Sequence, residues 1–99
     1  MATQEAANKP RPVKVQWQRG DIAEEYRGSI LETVAMVAET HPEADSLTRE
    51  LKNQLDAIYA PTWQVVVGKS FSSYVTHEKG SFGYIQCNQL AVMIFRAGL

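Results

Sequence analysis

Ninety-nine residues, 44% of them hydrophobic and 21% charged, fit one compact globular domain and argue against a chain disordered throughout. Ten Lys and Arg against eleven Asp and Glu leave a net charge of −1, so the chain lacks the basic footprint of a nucleic-acid binder. One cysteine excludes an internal disulfide framework and points to a reducing compartment, no run approaches the ~20 apolar residues of a membrane span, and the first residues do not form a secretory signal.

In chain order, residues 1–12 are polar, and Pro10 and Pro12 bracket Arg11, which predicts a flexible lead. The folded domain is expected over residues 13–99. Val13, Val15 and Trp17 alternate with Lys14 and Gln16, the period-two pattern of a half-buried strand. Asp21 with Glu24 three residues on resembles a capping box and predicts a helix start. Ile30, Leu31, Val34, Val37 and Ala38 then recur at helical spacing, and His41-Pro42 ends the run. A second helix carries Leu47, Leu51, Leu55, Ile58 and Tyr59 on its apolar stripe. Its opposite face, Arg49, Glu50, Lys52, Asn53 and Asp56, is expected to face water, and Ala60-Pro61 closes it.

From Thr62 the composition turns β-branched and aromatic. Strands are expected at Trp63–Val67, Phe71–His77, Ser81–Cys87 and Leu90–Phe95, separated by Gly68, Lys79-Gly80 and Asn88-Gln89. The order β-α-α-β-β-β-β predicts an α+β domain, an antiparallel sheet with two helices on one face.

The chemistry-bearing inventory is thin. His41, His77 and Cys87 have neither zinc spacing nor a nucleophile–base arrangement, and Cys87 in an aromatic strand reads as a buried structural thiol. No glycine-rich loop joins a strand to a helix, so the phosphate cradle of a nucleotide site is missing. Without basic residues around them, Phe82 and Tyr84 read as sheet packing rather than as base-stacking platforms. No catalytic residue, metal, cofactor or small-molecule ligand is expected. Phe71–His77 is unusual, because its hydroxyls interleave with aromatics and no charge appears until Glu78. Edge strands ordinarily carry Lys or Pro against unwanted pairing. The segment is therefore either a plain central strand or one meant to pair with another chain.

The strings Pro61-Thr62-Trp63, Val67-Gly68-Lys69-Ser70-Phe71-Ser72-Ser73-Tyr74-Val75-Thr76-His77-Glu78 and Gln89-Leu90-Ala91-Val92-Met93-Ile94-Phe95-Arg96 resemble the eight-kilodalton dynein light chain family, as does the Asp21, Glu24, Glu25 cluster. That resemblance implies a strand-swapped dimer, with itself or a related light chain, in which the strand matching Phe71–Thr76 joins the partner's sheet. It implies two grooves that take extended peptides, commonly around Thr-Gln-Thr, by strand addition. Groove residues carried over are Lys69, Ser70, Phe71, Ser72, Ser73, Tyr74, Val75, Thr76, His77, Phe82 and Tyr84. Dimer contacts carried over are Trp63, Gln64, Phe71, Ser73, Tyr74 and Val75. The implied role is a non-catalytic light chain of a dynein motor that binds intermediate chains in the cytoplasm and cytoskeleton, within an axonemal arm of a cilium or flagellum. The alternative is a general cytoplasmic dimerisation hub, or a regulatory subunit of non-motor proteins that uses the same groove. No nucleic acid or membrane is expected as a partner.

Several family positions differ. An acid–base pair near the start of the second helix is Ala44-Asp45 here, a groove aromatic is Gln86, and a glycine is Ser72. These changes weaken the expectation of standard Thr-Gln-Thr ligands. The interface histidine is Gln64 and a near-terminal serine is Ala97, which removes an acid-sensitive pair and a phosphorylation site.

Overall fold

The computed structural model describes residues 13–69 and 79–97. Within them the chain forms β1 (Val15–Gly20), α1 (Glu24–Thr40), α2 (Ala44–Tyr59), β2 (Trp63–Gly68), β3 (Gly83–Cys87) and β4 (Leu90–Arg96). The four described strands make one antiparallel sheet in the order β1-β3-β4-β2. The α+β architecture is as expected. The additional strand expected at Phe71–His77, and the lead of residues 1–12, lie outside the described residues.

The register sorts the side chains onto two faces. Val15 and Trp17 stand opposite Cys87 and Ile85, which in turn pair with Leu90 and Val92, while Val65 and Val67 stand opposite Ile94 and Val92. These residues face the helices and merge with Ile30, Val34, Val37, Leu47, Leu51 and Leu55 in one core. In the middle of β4, Ala91 through Ile94 are buried in succession: Val92 and Ile94 belong to the core under the helices, and Ala91 and Met93 are buried on the opposite face.

Three local expectations change. The first strand runs from Val15 to Gly20 instead of Val13 to Trp17, because a bulge between Trp17 and Arg19 lets pairing continue to Gly20 opposite Gly83. The first helix has Ala23 as its N-cap with no side-chain cap bond, and the Asp21 carboxylate is used elsewhere. In α2 the stripe narrows to Leu47, Leu51 and Leu55, whereas Ile58 is exposed and Tyr59 half-buried.

The polar face of α2 is not wholly solvated either. Lys52 Nζ donates to Asp56 Oδ2 at 2.9 Å and to the Trp63 carbonyl at 2.7 Å, and the Trp63 amide donates to Asp56 Oδ1 at 2.7 Å. This clasp ties the end of α2 to the first residue of β2 across the turn at Ala60, whose φ of 75° reverses the chain. Trp63 continues the join by packing edge-on against Tyr59.

Candidate peptide-binding face

The face of the sheet away from the helices is the natural place for an interaction. Gln16 and Arg19 of β1, Tyr84 and Gln86 of β3, Ala91, Met93 and Phe95 of β4, and Gln64, Val66 and Gly68 of β2 share it by register. Among these described positions there is one cation, Arg19, and no carboxylate. Val66 is 40% exposed there, although β-branched apolar residues usually find cover.

The two edges of the sheet differ. The β1 edge includes Arg19 and follows Lys14, the kind of charge that discourages strand pairing. The β2 edge, WQVVVG, has no charge and no proline, and among the described residues it pairs only with β4. Such an edge offers backbone donors and acceptors to an added strand. It leads directly to the exposed Lys69 and then to the string of residues 71–78.

Of the expected groove residues, Lys69, Phe82 and Tyr84 are described, and Ser70 through His77 lie outside the described residues. Tyr84 is a half-buried member of the outer face, and Phe82 precedes β3. The chain at Phe82 is held from both sides. Asp21 Oδ1 accepts from the Phe82 amide and Asp21 Oδ2 from the Gly80 amide, each at 2.9 Å, and the Phe82 carbonyl accepts from the amides of Asp21 and Ile22. Of the expected dimer contacts, Trp63 is buried in the core of its own subunit and Gln64 is half-buried on the outer face.

Sequence reasoning missed two residues. Asp21 looked like a helix cap, since Asp before a helix ordinarily satisfies its first amides. Its real partners are about sixty positions away. Arg19 lies two residues beyond the strand expected at Val13–Trp17, and only the bulge sets it across from Tyr84, with the guanidinium carbon 4.5 Å from the ring centroid.

Cys87 is 2% exposed, and burial raises its thiol pKa, which keeps it protonated and a poor nucleophile. Among the described residues no group of three or more His, Cys, Asp or Glu could hold a metal ion.

Comparison with known proteins bears on this arrangement. The family model described as dynein light chain type 1 matches residues 14–97, nearly the whole chain. This chain belongs to the dynein light chain family. The cytoplasmic dynein light chain 1 of Debaryomyces hansenii is 42% identical over 78 residues, spanning 79% of this chain and 86% of that one. Its counterpart in Saccharomyces cerevisiae is 36% identical over 89 residues, covering 90% and 94%. Among solved structures, the dynein light chain-like domain of a Fasciola hepatica calcium binding protein superposes with a TM-score of 0.74, at 16% identity, over 92% of this chain and 94% of that one. At that identity the likeness speaks for the fold alone. Dynein light chains are non-catalytic structural subunits that dimerise within dynein complexes.

Proposed function

We propose that this dynein light chain dimerises by exchanging the segment 71–77, and that each resulting groove takes an extended segment of a dynein intermediate chain as an added strand. The observation that carries the reading is the uncharged edge of β2, which has no partner but β4 among the described residues and runs into the Phe-Ser-Ser-Tyr-Val-Thr-His-Glu string. The groove in this reading uses Lys69 through His77, with Phe82 and Tyr84 as its wall, and the dimer seam includes Gln64 and the exchanged strand. Residues 1–12 are a lead outside the domain. Two grooves on one dimer hold two chains side by side and gain avidity from their proximity.

The compartment follows the relatives. Those in Debaryomyces hansenii and Saccharomyces cerevisiae are named cytoplasmic, which supports the cytoplasm and its microtubule motor. The axonemal arm expected from the sequence, with its cilium or flagellum, has no support among these relatives.

Sedimentation equilibrium is the direct test. With a chain mass of 11.1 kDa the particle is expected at about 22 kDa, twice that value. Tyr74→Pro or Thr76→Pro, which remove a backbone donor from the exchanged strand, are expected to give a folded monomer that binds no peptide. A wild-type chain that stays monomeric at micromolar concentration overturns the reading.

A further inference from the structure

We propose that Arg19, stacked on Tyr84, makes the outer face selective for peptide segments that carry a carboxylate. The inference rests on the groove reading above and adds the chemistry of the ligand to it. The bulge between Trp17 and Arg19 brings Arg19 opposite Tyr84, on the outer face instead of the core face that Trp17 occupies. The guanidinium then lies 4.5 Å from the centroid of an aromatic ring that walls the groove. Stacking leaves the edge of the planar group free to donate, and that edge is the part that matches a carboxylate with two parallel hydrogen bonds.

The surroundings sharpen the preference. Arg19 forms no ion pair among the described residues, where the recorded pair is Lys52 with Asp56 on the far side of the molecule's core. Its neighbours on the outer face, Gln16, Tyr84, Gln86 and Met93, bear no opposing carboxylate that would already satisfy it. Among the described residues the acidic side chains fall instead on the helices, at Glu43 just before α2, and at Asp21, which accepts from the Gly80 and Phe82 amides. An incoming acidic side chain therefore meets an unneutralised cation held on a fixed ring. The ring orders the arginine before binding, so less side-chain freedom is lost when the contact forms. The gain is bounded by exposure, since solvated ion pairs contribute modestly.

The test is a set of matched synthetic peptides built on a Thr-Gln-Thr centre, with Glu or Gln placed in turn at each of six flanking positions. Each is titrated against the full-length chain by calorimetry. At one position or more the wild-type chain is expected to bind the Glu peptide about fivefold more tightly than its Gln twin, with the ratio falling as salt is raised. Arg19→Gln is expected to bring that ratio to about one, and Arg19→Lys, which keeps the charge but loses the planar stack, to leave it in between. Equal binding of Glu and Gln peptides at all six positions, or a ratio that survives Arg19→Gln, overturns the inference and leaves the groove reading standing. Failure of every peptide to bind the wild-type chain overturns the inference, while the groove reading is decided by sedimentation.

Discussion

A side chain at Gly83 would have no room. A Cβ there falls 2.8 Å from the Trp17 ring and 3.2 Å from Ile22, closer than such atoms normally approach. Gly20 is constrained twice, by a φ of +145° and by the Phe82 carbonyl, which a Cβ there would strike. These glycines let the Trp17 indole lie flat across the end of β3, where Arg27 also stacks on it. Gly83→Val is expected to destabilise the chain by about 1–3 kcal/mol, seen as a lower urea midpoint with unchanged slope. Trimming the ring should recover part of that loss, so the Trp17→Leu/Gly83→Val pair is expected to be less destabilised than the sum of its singles. Strict additivity would mean that the two residues do not press on one another.

At the level of elements, the joint between α2 and β2 is held by charge as much as by packing. Burial alone would raise the Asp56 pKa, but the hydrogen bond from Lys52, the Trp63 amide and the nearby charges of Lys52 and Arg96 outweigh it and hold the carboxyl below its ordinary value. A group whose folded pKa is depressed contributes stability that is complete above its unfolded value, about 3.9, and is lost as pH falls through the folded value. Asp56→Asn is therefore expected to lower stability at pH 7 by about 1–2 kcal/mol. The difference from wild type should shrink as pH drops below about 4 and close once pH has passed below the folded value, where both chains carry a neutral group at this position. Chemical denaturation at pH 7 and pH 3 checks the sign, and a gap that widened toward acid would contradict the clasp. The same joint explains why α2 departs from its simple two-faced pattern: Lys52 and Asp56 sit on the polar side of the helix, but Trp63 folds back within their reach.

For the molecule as a whole, the residue at position 64 bears on how the proposed dimer answers acid. Gln64 is half-buried on the outer face and cannot gain a proton between pH 5 and 7. The sedimentation profile is expected to be the same at both pH values. A dissociation midpoint within that interval would assign an acid switch to another group, with His77, in the segment proposed to be exchanged, the first to replace.

The alternation of Val15 and Trp17, the leucine stripe of α2 and the turn residues at Gly68 and Asn88 were enough to place the described elements, because local periodicity reports which side of a strand or helix meets the core. The family followed from continuous strings in which neighbouring residues carry the signal. Tertiary structure decided what depends on residues far apart in the chain. Asp21 abandons its helix for amides at 80 and 82, Arg19 meets Tyr84 across a bulge, and Lys52 with Asp56 reaches Trp63. A carboxylate or guanidinium has several acceptable partners within its own segment, and only the assembled sheet determines which of them comes within hydrogen-bonding distance.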